Sequence, residues 1–157
     1  MVEGAGQSEL KGRLDKCIRL GFTSVGRSGG NVVKFKSEIV SLLKQELEYL
    51  ERGGYGGKSP WRPVSMFLDS PSCPNRLDGD RAVPCSECWL FLFVPEKYRA
   101  EMNPCHFIPL NRDGETIYSM SRQYTPAEVE AALKIWLAGE IQHLESSEIR
   151  GAASPGL

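Results

Sequence analysis

CPNRLDGDRAVPCSECWLFLFVPEKYRAEMNPCH, residues 73–106, holds four of the chain's five cysteines in the pattern C-x11-C-x2-C-x16-C, and a histidine directly follows the last. Thiols gathered this densely raise metal binding or redox chemistry before anything else. Cys73, Cys85, Cys88 and Cys105 form the candidate set, with His106 as an alternative to Cys105. Adjacent residues on a strand point to opposite faces, so one of that pair ligates and not both.

The fold follows from where these cysteines stand relative to apolar runs. Val64–Leu68 (VSMFL), Trp89–Val94 (WLFLFV), His106–Leu110 (HFIPL) and Thr116–Met120 (TIYSM) read as strands. NRDG, between the last two, supplies Asn and Asp-Gly for a tight reversal. Cys73 comes just after the first strand, while Cys85, Cys88 and Cys105 come just before later ones. If the first strand lies between the second and third and antiparallel to both, all four thiols meet at one sheet edge.

Four convergent thiolates suit zinc, whose structural sites are closed by four cysteines or by three cysteines and a histidine. The same four ligands can hold an iron–sulfur cluster. PCSEC matches the second half of a zinc-deaminase signature, but no histidine precedes position 106, so the upstream H-x-E is missing. A thioredoxin-like role for Cys85 and Cys88 requires a helix N-terminus after the motif, where the sequence places a strand. Glu87, between Cys85 and Cys88, reads as a solubilising surface residue.

Two amphipathic helices cover the expected sheet. Ser37 opens one, with Ile39, Val40, Leu43, Leu47 and Leu50 as its apolar stripe, Glu46, Glu48 and Glu51 on its wet side, and Gly53-Gly54 as its stop. Thr125-Pro126-Ala127-Glu128 is a capping box that opens the other. Its stripe runs Val129, Leu133, Trp136, Leu137, Ile141 and Leu144. Nearer the N-terminus, Leu10, Leu14, Cys17 and Ile18 predict a short helix that buries Cys17 as an inert thiol. FTSVGRSGGNVVKF predicts a hairpin around Gly26–Gly30, without the Gly-Lys-Ser/Thr that a phosphate loop needs.

The expectation is therefore an α+β fold: a small, mainly antiparallel sheet covered by two amphipathic helices, with a four-cysteine cluster at one sheet edge. Residues 1–9 read as a disordered start, 10–146 as one domain with the cysteine module at 61–120, and 147–157 as a flexible tail. Forty-one per cent apolar residues in 157 allow one core, and a net charge of −1 gives no global attraction to nucleic acid or anionic lipid.

A local basic excess over 11–36, including Arg27, Lys34 and Lys36, keeps nucleic acid as a lesser alternative to a protein partner. No apolar run reaches the ~18 residues that span a bilayer. MVEGAGQSELKGR lacks the apolar core of a secretory signal, so the expected compartment is the reducing cytoplasm. The functional expectation is a non-enzymatic, zinc-stabilised protein acting on another macromolecule, with an iron–sulfur or thiol redox protein as the alternative. Trp61 or an open strand edge would suit a homodimer.

Overall fold

The structure, a computed structural model, describes residues 30–56, 65–76 and 78–152. The expected helix at Leu10–Ile18 with Cys17, the Gly-rich turn with Arg27, and Trp61 lie outside the described residues. So does the Lys34 side chain.

Two long helices form the frame: α1, Gly30–Glu51, and α3, Pro126–Ala152; the short α2, Ile117–Met120, precedes α3. α1 begins seven residues before Ser37, so NVVKF is not the second half of a hairpin. Phe35 continues the Ile39 and Leu43 spacing backward at four-residue steps, and the helical period prevails over β-branched propensity. α1 ends in a Schellman motif. The Gly54 N–H donates to the Tyr49 carbonyl (2.9 Å) and that of Gly53 to Leu50 (3.2 Å), with φ of 40° and 103° that glycine adopts without strain.

α1 and α3 run antiparallel. Lys36, early in α1, donates to Ser147 late in α3, whereas a Cβ at Gly54, past the end of α1, would stand 3.3 Å from Glu130 near the start of α3. Lys44–Glu145 adds an exposed ion pair, worth little in water. Leu43 and Leu50 from α1 and Leu133 and Leu137 from α3 are fully buried. Each contributes about 1.5–3 kcal/mol of transfer free energy. All six stripe residues expected on the second helix are buried, and its capping box forms: the Thr125 N–H donates to Glu128 Oε2 (2.8 Å) and the Glu128 N–H to Thr125 Oγ1 (3.4 Å).

The expected sheet is not formed by the described residues. Among the described residues there is no strand, only an isolated antiparallel bridge between Pro109 and Thr116. Met66–Asp69 form turns, Trp89–Phe93 and Pro104–Phe107 are 3₁₀ turns, and TIYSM is α2 with Thr116 as its cap. WLFLFV is apolar without alternation, so periodicity could not separate a strand from a buried turn; the two buried members, Leu90 and Val94, stand four apart as on a helix. In TIYSM, Thr116 and Ser119 satisfy each other's backbone N–H groups as a capping box, which outweighs the β propensity of Ile and Tyr.

The NRDG segment does reverse the chain: Asn111 Oδ1 accepts from the Asp113 and Glu115 N–H groups (both 3.1 Å), and Gly114 takes φ 77°. α3 extends through Ala152, into the segment expected to be a tail.

Residues 65–76 and 78–110 thus form a layer of turns packed on the helix pair. Trp136 of α3 is the anchor, meeting Phe67 edge-to-face at 6.2 Å and Phe93 at 5.2 Å.

Candidate functional site: a cavity lined by four thiols

Each cysteine of residues 73–105 is set by a different local device. Ser70 turns the chain into Cys73, its carbonyl accepting the Cys73 N–H at 3.1 Å. Asn75 then clasps Val83 with two bonds, Nδ2 to the carbonyl (2.7 Å) and the Val83 N–H to Oδ1 (3.1 Å). The intervening loop closes in an Asx turn, Asp78 accepting from Asp80 (3.0 Å) and Ala82 (2.9 Å). The clasp carries the chain back to Pro84 and to Cys85, which starts the 3₁₀ turn Cys85–Glu87; Cys88 follows and caps the turn Trp89–Phe93.

Cys105 sits in the 3₁₀ turn Pro104–Phe107. A ladder of rings fastens that turn: Phe107 stacks between Tyr98 and Tyr118 with 4.7 Å centroid spacings. Lys97 lies over the Tyr98 ring at 4.6 Å and Arg122 over Tyr118 at 4.2 Å.

Cys73, Cys85, Cys88 and Cys105 are free thiols, and all four line one cavity of about 450 Å³ together with apolar Phe67, Leu90, Phe91 and Val94. Burial pushes the Cys73, Cys88 and Cys105 thiols up, and the mutual charge of the cysteines adds to it; Cys105 is pushed up to about 12. Opposing this, the nearby backbone N–H groups of Asn75 and Leu90 pull the Cys73 and Cys88 thiols down by less than burial raises them. Thiols raised in this way are the reverse of the low-pKa nucleophile that redox or covalent chemistry uses. The expected strand after Cys88 is a 3₁₀ turn instead, yet the Cys88 thiol still moves upward rather than downward.

His106 does not line the cavity. Its Nε2 bonds the Met66 carbonyl at 2.9 Å and meets Ser65 Oγ at 3.3 Å. A carbonyl only accepts, so Nε2 carries the proton, and burial lowers the pKa and keeps the ring neutral. Its role is a tie between the Cys105 turn and the 65–69 loop. Of the pair left open by the sequence, Cys105 is the one on the cavity wall.

The cysteine cluster expected at a sheet edge is not formed. Among the described residues there is no sheet, and no three His, Cys, Asp or Glu side chains stand as a group that could hold a metal ion. Of the basic residues considered for nucleic acid, Lys36 is half-buried and bonded to Ser147, holding α1 to α3.

Glu46 is the residue the sequence reading missed. Assigned to the wet side of its helix, it is 1% exposed. Its Oε1 accepts from the Tyr55 hydroxyl (2.9 Å), and its Oε2 accepts from Ser70 and from Ser72 (2.9 Å). The signal was present, since Ile39, Leu43, Glu46 and Leu50 follow four-, three- and four-residue steps along one face. Among the described residues no helix is long and apolar enough to cross a membrane. Comparison with protein-family models, with curated proteins and with solved structures finds no match to this chain.

Proposed function

We propose that this is a non-enzymatic, intracellular metal–thiolate protein in which Cys73, Cys85, Cys88 and Cys105 close on a zinc ion and fasten the turn layer. The observation that carries the reading is that four thiols spread over 33 positions of sequence line one cavity in a layer built almost wholly of turns. A layer with so little backbone ladder gains most from a central cross-link, and metal binding supplies folding free energy directly.

Zinc accepts four cysteines without a geometric demand beyond the tetrahedron. The thiols turn inward from the cavity wall and each protonated thiol gives up its proton as the ion binds. Working through a reducing cytoplasm, the protein acts by associating with another macromolecule, a protein rather than nucleic acid, in keeping with its net charge of −1.

A second reading uses the same ligands, since an iron–sulfur cluster is held by four thiolates. Elemental content and the absorption spectrum of untagged protein, isolated anaerobically, test both. Zinc near one equivalent with no visible colour supports the first reading, and brown protein with iron and acid-labile sulfide supports the second. Metal-free protein with all four thiols titratable contradicts both.

A further inference from the structure

We infer that Glu46 is a positioning residue for Cys73, holding the turn that presents this thiol to the cavity while touching no ligand itself. The inference rests on the metal–thiolate reading above. Glu46 does not line the cavity; it acts from behind, inside the core. Its Oε2 takes both serine hydroxyls of the turn, while Ser70 Oγ also accepts the Ser72 N–H (3.0 Å) and the Ser70 carbonyl accepts the Cys73 N–H (3.1 Å). The other oxygen works one loop earlier. Tyr55, donating to Oε1, accepts the Phe67 N–H at 2.8 Å and so holds Phe67 at φ 64°, a left-handed conformation that a bulky residue adopts only under constraint.

A carboxylate is a costly group to bury, and among the described residues no Lys or Arg pairs with this one. Hydroxyl donors from two loops satisfy it instead. The apolar stripe would be continued better by a leucine; what the carboxylate adds is a grip on Ser70 and Ser72. His106 holds the start of the same loop, at Ser65 and Met66, to the turn bearing Cys105. Held at both ends, the loop fixes Cys73 relative to Cys105.

Residues that orient metal ligands from outside the coordination sphere typically lose 10–100-fold in metal affinity when altered. Zinc binding to the full chain is therefore measured by chelator competition for wild type and Glu46→Gln, with cobalt substitution as the second readout. E46Q is expected to bind zinc about 10–100-fold more weakly, and its thiolate-to-cobalt absorption per bound ion to drop to a three-sulfur level.

A merely structural Glu46 would lower the unfolding midpoint and leave the cobalt spectrum per ion unchanged. Wild-type zinc affinity and a four-sulfur spectrum in E46Q overturn the inference alone. A wild-type chain that takes up neither zinc nor cobalt overturns the metal reading and this inference with it. If E46Q does not fold, Ser72→Ala removes one of the two grips on the turn and carries the same test, with a loss of about tenfold expected.

Discussion

Replacing Tyr55 by Phe isolates the buried network at the junction of α1 and the turn layer. The ring, 5.3 Å from Tyr49 in an edge-to-face contact, keeps its packing, and only the hydroxyl goes. Two bonds are lost, the donation to Glu46 Oε1 at 2.9 Å and the acceptance from Phe67 N–H at 2.8 Å. A bond to a charged group is worth about 1.5–3 kcal/mol, and a buried N–H left without a partner costs about 1–3 kcal/mol. Because the two losses share one atom they do not simply add, and a total of about 3–5 kcal/mol is expected.

Against a typical stability of about 5–15 kcal/mol that is a large fraction. In a chain of 157 residues it corresponds to a fall in Tm of roughly 6–20 °C. Urea unfolding followed by far-ultraviolet circular dichroism gives the value, with Tyr124→Phe as control. Tyr124 is 40% exposed and bonds Glu115 at the surface, so its loss should stay within about 0.5 kcal/mol. A Y55F protein within about 0.5 kcal/mol of wild type would refute the claim that this network holds the loop.

Two further outcomes follow from the same structure. Leu133→Ala, at a fully buried position of α3, should destabilise by about 2–5 kcal/mol, whereas Ile135→Ala, 73% exposed two residues on, should change stability by less than about 0.5 kcal/mol; equal effects would mean the buried face of α3 is misassigned. In the metal-free, reduced protein the Cys105 pKa is raised from 9.0 to about 12, so the fold prefers the protonated thiol; its stabilisation is complete below about pH 9 and is lost as pH rises through that window. Chemical unfolding should show a loss of about 1 kcal/mol by pH 10 from this group alone, with Cys73 and Cys88 adding in the same direction, and a flat profile from pH 8 to 10 would contradict the burial of these thiols.

Helices were legible wherever an apolar stripe coincided with a cap or stop. Thr125–Glu128 and the Val129-to-Leu144 stripe located α3, and Gly53-Gly54 located the end of α1. The turn layer was not legible. Its apolar runs, five or six residues long, are consistent with a strand or a turn, and two of them are held as turns with Phe67 and Phe93 packed on Trp136. A sheet inferred from four such runs therefore failed as a whole.

The candidate residues Cys73, Cys85, Cys88 and Cys105 share one cavity, but the route is the Asn75–Val83 clasp and the 3₁₀ turns rather than strand order. Glu46 was obscured by its charge. An acidic residue on a helix is ordinarily assigned to solvent, although its spacing from Leu43 and Leu50 had already placed it inside.

The most direct test of the four-thiol centre is X-ray absorption at the metal edge of the zinc-loaded full chain. Four sulfur neighbours at about 2.3 Å are predicted, falling to three in Cys73→Ser. A shell of nitrogen and oxygen donors, or one unaltered by loss of Cys73, would contradict the account.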